Sequence, residues 1–224
     1  GEGKDRRKVK GDYYLSEREE EDLRYLAEMN KPVILILNAG GPVELTDILE
    51  QTDNIKGILN ISQLGQEGGD ALADVLLGKE VPGGKLTTTW ARRYEDYPAS
   101  EEYGYLNGNL EKEKYKEGIY VGYRYFDSFD KKVMFPFGFG LSYTMFEMMC
   151  CSINMEESKI RAEVQVTNTG NEYAGKEVVQ IYVTLPQTEL EKEYKRLAGF
   201  AKTRLLKPGE TQTLTVEIPQ KQLA

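Results

Sequence analysis

The amino-terminal half of the chain alternates helical and extended hydrophobic patterns. Ser16, with Glu19 three residues later, forms a capping-box sequence at the start of a helix whose apolar residues recur at helical spacing. Residues 33–37 are all apolar and residues 55–61 mostly so, which is typical of parallel strands buried on both faces. A shorter helical pattern follows each run. This order predicts an open α/β sandwich with a mostly parallel sheet, incomplete within this chain.

Glycine-rich loops follow both predicted strands, at residues 38–41 and 63–69. Ligands of open α/β sheets bind at the carboxyl ends of the strands, so these two loops mark the edge where a site is expected. Neither loop matches the dinucleotide fingerprint or the Walker A pattern. We therefore interpret the glycines as permitting tight turns and close packing of helix against strand, and we expect no nucleotide site.

A long polar segment between Tyr94 and Tyr125 contains eight tyrosines. A tyrosine ring offers a flat apolar face and a polar tip, so clustered tyrosines outside regular elements suit a polar, ring-shaped ligand or an interface. They equally suit the packing of a long irregular segment onto its own domain. The residues leave both interpretations open.

From about residue 144 the pattern becomes all-β. Side chains alternate between apolar and polar from Lys159 to Asn168, as in a half-buried strand. Further strands are predicted at residues 178–185, 197–206 and 212–218. Short alternating strands of this kind predict an all-β sandwich of the immunoglobulin or fibronectin III type, with about five of the usual seven strands visible. The sandwich is expected to be truncated, or completed by residues outside this chain.

The composition removes several classes of partner and of catalytic site. The chain has a formal charge of −8, which disfavours binding to nucleic acid. It contains no run of about 20 apolar residues, so we expect no membrane partner. The complete lack of histidine excludes a Ser-His-Asp triad, a Cys-His dyad and histidine-containing zinc sites. Catalysis would have to use carboxylates, lysine or tyrosine, and we expect neither a metal nor an organic cofactor.

The two cysteines, Cys150 and Cys151, are neighbours in the sequence. Adjacent cysteines pair only in a strained ring, so they provide no disulfide framework. This favours a reducing compartment and a cytoplasmic location. A homo-oligomer is left open.

Several long motifs resemble glycoside hydrolase family 3. The motifs similar to the second, α/β domain of that family lie at residues 65–78, 82–86, 117–127 and 135–144. Those similar to its fibronectin type III-like domain lie at residues 166–170, 175–183 and 205–210. The resemblance covers nearly all of the chain, in order and in spacing. It implies a partial α/β sandwich domain over residues 1–145 and a fibronectin type III-like domain over residues 146–224.

The resemblance also implies a catalytic residue. The opening Gly-Glu-Gly-Lys-Asp-Arg is similar to the family's loop that carries the general acid/base, and Glu2 aligns with that residue. A glutamate between two glycines in a polar loop is otherwise most often only solvated. Arg6, in the same loop, is a candidate for binding substrate or for positioning the loop. The implied reaction is retaining hydrolysis of a terminal β-linked glucosyl residue, with an aspartate nucleophile from a (β/α)8-type barrel that this chain lacks.

Other interpretations remain beside this one. Within the same family the sugar could be that of a β-xylosidase or a β-N-acetylglucosaminidase. Outside catalysis, the chain could be a carbohydrate-binding or scaffolding fragment that uses the tyrosine-rich segment. The barrel could precede Gly1 or follow Ala224. In the enzyme interpretation the 224 residues alone are expected to be inactive.

Overall fold

The computed structural model describes residues 6–103, 108, 111–112 and 114–223. These residues form two compact units that interleave along the chain. The first holds the described parts of residues 1–69, 88–126 and 130–136, and the second those of residues 70–87, 127–129 and 137–224. The predicted domain boundary between residues 145 and 146 stays a prediction, because no single cut of the chain separates these two units.

The α/β part begins with the predicted helix α1 (Glu17–Glu28). Its capping box is confirmed, since the Ser16 hydroxyl accepts from the Glu19 amide at 3.3 Å and the Glu19 carboxylate accepts from the Ser16 amide at 2.7 Å. Strand β1 (Val33–Leu37), helix α2 (Thr46–Gln51), strand β2 (Ile55–Asn60) and helix α3 (Gly68–Leu76) follow.

Strands β1 and β2 pair in parallel, with Val33 opposite Ile55 and Leu37 opposite Asn60. The predicted parallel sheet is therefore confirmed. The expectation that β1 is buried on both faces is wrong, because Ile34 and Ile36 are 55% and 38% exposed. In the described part of the chain this sheet has only two strands, and the face that carries both isoleucines stays open to solvent.

The remaining elements before the β-sandwich are short. Strand β3 (Trp90–Ala91) pairs antiparallel with β4 (Val133–Phe135), and helix α4 (Tyr123–Ser128) precedes β4. The Trp90 ring meets the Phe135 ring edge to face, with 6.0 Å between ring centroids. Residues from several elements form the core of the first unit: Tyr13, Leu37, Val43, Leu45, Ile48, Trp90, Ala91, Tyr94 and Phe126.

The second unit contains the predicted all-β sandwich, so the order of an α/β part followed by an all-β part is confirmed. Its strands are β5 (Phe146–Met155), β6 (Lys159–Asn168), β7 (Val178–Val183), β8 (Arg196–Lys202) and β9 (Thr211–Pro219). One sheet is antiparallel in the order β5-β6-β9, and the other consists of β7 and β8. The inward-facing residues Val164, Val166, Val179, Leu206 and Leu214 pack between the two sheets.

Strand β5 carries a bulge at Cys151, because Cys150 is opposite Val164 and Ser152 is opposite Glu163. The extra residue shifts the alternation by one position, so that Ile153 lies opposite the buried Ala162 and on the core face of the sheet. Ile153 is nevertheless 65% exposed. Met148 and Met155, on the same face of β5, are 46% and 83% exposed, so this face stays open in the described part of the chain.

None of the described helices is both long enough and apolar enough to cross a bilayer.

Candidate functional site

The carboxyl ends of β1 and β2 lie at one edge of the parallel sheet, as predicted. The Ile61 amide donates to the Leu37 carbonyl at 3.0 Å, which joins the two strand ends. Beyond them, Gly40 packs against the side chain of Gln63, and a Cβ at Gly40 would lie 3.6 Å from the Gln63 side-chain amide. The loops that follow the two strands therefore contact each other at the edge where open α/β sheets bind ligands.

Arg6 reaches this edge from the amino-terminal segment. One terminal nitrogen of its guanidinium donates to the Pro42 carbonyl, at the end of the loop that follows β1. The other donates to the Asp12 carbonyl, and Nε lies 3.7 Å from the Asp12 carboxylate. The guanidinium also lies 5.4 Å from the centre of the Tyr13 ring. Arg6 thus ties the start of the described chain to the carboxyl edge of β1.

Residues 6–14, which we call the Arg6 loop, have a compact conformation. The Asp12 carboxylate accepts from the Arg7 amide at 2.9 Å. The Tyr14 amide donates to the Val9 carbonyl at 3.3 Å, and the Gly11 amide donates to the Tyr14 carbonyl at 3.0 Å. Gly11 has a φ of +77°, a left-handed conformation that glycine adopts without strain. These bonds hold the loop in one shape before it enters α1.

Tyr13 anchors the Arg6 loop in the core of the first unit. It is 7% exposed, and its ring meets the rings of Tyr94 and Tyr97 at centroid distances of 4.9 and 6.5 Å. Burial, with a smaller contribution from Tyr97, raises the pKa of the Tyr13 hydroxyl far above its ordinary value. The Tyr97 hydroxyl donates to the Thr89 carbonyl at 3.2 Å. Both tyrosines of the 94–97 turn therefore serve packing.

Two further tyrosines of the polar segment are exposed. Tyr115 is 85% exposed and Tyr103 is 49% exposed, whereas Tyr105 lies outside the described residues. The packing interpretation thus applies at Tyr94 and Tyr97. The ligand-binding interpretation stays open for the exposed tyrosines.

Ion pairs connect the Arg6 loop and α2 to the segment around Tyr94. Lys8 pairs with Glu95 and lies 5.0 Å from the centre of the Tyr94 ring, and its ammonium lowers the pKa of the Glu95 carboxyl. Arg93 contacts Asp47 at 2.5 Å and Glu44 at 3.1 Å. These carboxylates, Asp47 most of all, raise the pKa of Arg93, and Arg93 lowers that of Asp47. The Arg6 loop is therefore attached at three places, through Arg6, Lys8 and Tyr13.

A cavity of about 190 Å³, with both charged and apolar lining residues, lies between the Arg6 loop, α1 and α2. The charged groups that line it are already paired, because Glu20 contacts Lys10 at 3.0 Å and Arg24 at 3.1 Å. The described residues contain no cluster of three or more aspartates, glutamates or cysteines that could hold a metal ion.

Of the two predicted site residues, the structure describes Arg6 but not Glu2. Glu2 lies outside the described residues, so its role stays a prediction. Arg6 lies at the predicted edge with its guanidinium directed to protein groups, and its contact with substrate also stays a prediction. Sequence reasoning missed Asp12, Tyr13 and Pro42 as its partners. Two of these contacts use main-chain carbonyls, which leave no signal in the sequence.

Comparisons with known proteins agree with this architecture. The family profile described as the glycosyl hydrolase family 3 C-terminal domain matches residues 1–123, and the profile of the fibronectin type III-like domain matches residues 177–224. Beta-glucosidase A from Butyrivibrio fibrisolvens is 42% identical over 96% of this chain and 27% of its own length. An exo-alpha-(1->6)-L-arabinopyranosidase from Bifidobacterium breve is 34% identical over 90% of this chain and 26% of its own length.

The solved structures include a close match. The structure of beta-glucosidase 3B from Thermotoga neapolitana in complex with alpha-D-glucose is 43% identical, with a TM-score of 0.91. The match covers 100% of this chain and 31% of that one. The chain therefore spans between a quarter and a third of the length of the proteins that it resembles. It belongs to glycoside hydrolase family 3, and it contains that family's C-terminal α/β domain followed by its fibronectin type III-like domain.

Proposed function

We propose that this chain is part of a retaining β-glucosidase that hydrolyses terminal, non-reducing β-D-glucosyl residues, with Glu2 as the general acid/base. The observation that supports it best is the attachment of the Arg6 loop to the carboxyl edge of β1. Glu2 lies four positions before Arg6, so the covalent chain keeps their Cα atoms within about 14 Å of each other. A residue this close to Arg6 in the chain is within reach of the ligand-binding edge, which supports the assignment of Glu2.

The chemistry has two steps. In the first, an aspartate of the barrel domain attacks the anomeric carbon while the Glu2 carboxylic acid protonates the departing glycosidic oxygen. A covalent glycosyl-enzyme forms and the aglycone leaves as an alcohol. In the second, the Glu2 carboxylate takes a proton from water, which attacks the anomeric carbon and releases the aspartate. Two inversions leave the β configuration unchanged.

Glu2 has to be protonated at the start of this cycle. A nearby ionised nucleophile and a water-poor site both raise the pKa of a carboxyl group, and the closed active site of the two domains would supply both conditions. The barrel domain of the same enzyme is therefore the partner that we propose. The 224-residue chain alone contains half of the active site and is expected to be inactive.

The test is Glu2→Ala in the full-length enzyme, assayed on aryl β-glucosides with good and poor leaving groups. A poor leaving group needs the acid, so its rate is expected to fall by about 10²- to 10⁴-fold, whereas cleavage of an activated aryl glucoside needs little proton donation. Azide attacks without a base, so it should restore turnover and yield the β-glucosyl azide. Equal losses on both substrates, with no effect of azide, would show that Glu2 is not the acid/base.

The identity of the sugar is a separate proposal. The relative named as an arabinopyranosidase matches this chain almost as well as the β-glucosidase does, so similarity over this segment leaves the glycone open. A panel of aryl β-glucoside, β-xyloside, β-N-acetylglucosaminide and α-L-arabinopyranoside decides it. The highest kcat/KM is expected on the glucoside, and a higher value on another member would replace the proposed substrate.

Two further expectations carry over as proposals. The cytoplasmic location is supported by Cys150 and Cys151, which are both free thiols in the structure.

The non-catalytic alternative, a carbohydrate-binding fragment, predicts measurable glycan affinity for the isolated chain. Calorimetric titration with cellobiose would detect it, whereas the enzyme proposal predicts little binding without the barrel.

A further inference from the structure

We propose that Arg6 is a positioning residue for the acid/base: it attaches the Arg6 loop, which follows Glu2 in the chain, to the carboxyl edge of β1, and it does not bind the sugar. This inference rests on the proposed function. It concerns which step Arg6 affects, and it assigns Arg6 to the placement of the proton donor.

The guanidinium donors of Arg6 are directed to the protein. Both terminal nitrogens donate to main-chain carbonyls, of Pro42 and of Asp12, and Nε faces the Asp12 carboxylate at 3.7 Å. All three nitrogens of the guanidinium are thus directed to protein groups. The side chain is 21% exposed, which leaves little of its surface for a ligand. An arginine that recognises a sugar would direct at least one edge of its fork outward.

Arg6 connects two parts of the structure that are each held by packing. Pro42 follows the Gly40-Gly41 turn, and a Cβ at Gly41 would lie 3.5 Å from the nearer guanidinium nitrogen, so the arginine lies close against this turn. On the other side, Asp12 precedes the buried Tyr13. Arg6 therefore joins a sheet edge to a core-anchored loop, and neither support can shift without disturbing packing.

The charge of Arg6 is compensated by the Asp12 carboxylate beside it. An uncompensated cation close to a general acid would favour the ionised form of that acid, which opposes proton donation. The Arg6–Asp12 pair can thus hold the loop without adding a net positive charge to it. Because general acid catalysis depends on alignment to within about 1 Å, a loosened loop affects proton transfer before it affects binding.

The experiment is Arg6→Lys in the full-length enzyme. Lysine keeps the charge, but its single ammonium cannot bridge the two carbonyls and the carboxylate. On an alkyl or other poor-leaving-group β-glucoside, kcat is expected to fall by about 10- to 100-fold, with KM changed by less than about threefold. On a dinitrophenyl β-glucoside the formation of the glycosyl-enzyme is expected to stay within about threefold of the parent.

The matched control is Arg18→Lys. Arg18 lies on the exposed side of α1, where it pairs with Asp22 at 3.1 Å. The same substitution there is expected to leave both rates unchanged. Melting temperatures of all variants separate a folding defect from a catalytic one. If Arg6→Lys lowers both rates in proportion to its loss of folded protein, Arg6 is only structural and the inference fails.

A double-mutant cycle decides whether Arg6 acts through Glu2. In the Glu2→Ala background no acid remains to be positioned, so adding Arg6→Lys is expected to change the poor-leaving-group rate by less than about threefold. If the two losses multiply, Arg6 acts independently of Glu2 and the inference is overturned. A rise in KM on both substrates with unchanged kcat would assign Arg6 to sugar binding, which also overturns it.

The failure of the proposed function has a different signature. It appears in the Glu2→Ala single variant, as the absence of leaving-group selectivity and of azide rescue. The Arg6 inference fails while that variant still shows both effects. The two results are therefore distinguishable within one set of measurements.

Discussion

The Lys85 ammonium lies 2.7 Å from the Glu177 carboxylate, with the two side chains only 16% and 12% exposed. The same ammonium donates to the Gly140 carbonyl at 2.7 Å, and the Glu177 carboxylate accepts from the Val178 amide at 2.6 Å. The pair thus joins the Pro-Gly-Gly-Lys-Leu motif at residues 82–86 to the start of β7. Both charges have hydrogen-bond partners, as a largely buried ion pair needs if it is to be tolerated.

We expect Glu177→Gln to destabilise the second unit by about 3 kcal/mol, because it leaves the Lys85 charge largely buried without its counterion. Denaturant unfolding of the 224-residue chain, followed by fluorescence or circular dichroism, measures the change. The control is Glu217→Gln, since Glu217 is 52% exposed and pairs with Lys159 on the surface of the sheet. That change is expected to cost less than about 1 kcal/mol. If the two substitutions lowered the free energy of unfolding equally, the buried Lys85–Glu177 pair would contribute no more to stability than the exposed one.

Asn168 is expected to be intolerant of a charge. It is fully buried, and its side-chain amide donates to the Tyr173 carbonyl at 2.9 Å and to the Leu206 carbonyl at 2.8 Å. Asn168→Asp replaces both donors by a carboxylate that faces two carbonyls, so we expect a loss of about 3 kcal/mol or more at neutral pH. Because a buried carboxyl group has a raised pKa, acidification should recover part of that loss.

The same unfolding measurement at pH 7 and pH 5 tests this expectation. Asn154→Asp is the matched control, because Asn154 lies on the exposed strand β5. The control should change stability by less than about 0.5 kcal/mol. A stability of Asn168→Asp that equals the parent's would show that the amide bridge contributes nothing.

Alkaline pH should destabilise the first unit through Tyr13. Its pKa is raised in the folded state, mainly by burial, above the ordinary value of 10.0. A raised pKa means that the unfolded chain releases this proton first, so stability is complete below pH 10 and falls as the pH rises further. The limiting slope for one such group is about 1.4 kcal/mol per pH unit.

Tyr13→Phe removes the titrating group and keeps most of the ring packing. We expect its stability at neutral pH to change by less than about 1 kcal/mol, because the ring packing is kept, and its slope above pH 10 to be smaller than the parent's. Tyr25→Phe is the control, since Tyr25 is 64% exposed on α1. Unfolding curves between pH 9 and 11.5 give both slopes. An unchanged slope in Tyr13→Phe would be the contrary result.

The thiols of Cys150 and Cys151 are expected to react without unfolding. Both are exposed on β5, next to and at the bulge formed by Cys151. An aromatic disulfide reagent should therefore titrate two thiols in the folded 224-residue chain, as many as in denaturant. The single variant Cys150→Ser should reduce the count to one. Protection of one thiol in the folded chain alone would mean that the open face of β5 is covered in solution.

Local features of the fold were predictable from the sequence. The capping box at Ser16 and Glu19, the parallel pairing of β1 with β2 and the alternation along β6 all depend on residues close in sequence or on short periodic patterns. The edge at residues 38–41 and 63–69 followed from the same logic, because parallel strands end on one side of a sheet. The family's long motifs identified the order of the two domain types.

Tertiary structure alone decided what the side chains of the site do. Arg6 donates to the Pro42 carbonyl 36 positions away, and a carbonyl acceptor is present at every residue, so no residue type indicates it. The burial of Tyr13 among Tyr94 and Tyr97, and the exposure of Ile34, depend on which elements pack together over long separations. The sequence by itself thus determined the elements and the family, because those are set by local patterns. The attachment of the Arg6 loop depended on three-dimensional packing, because main-chain partners and long-range contacts leave no local pattern.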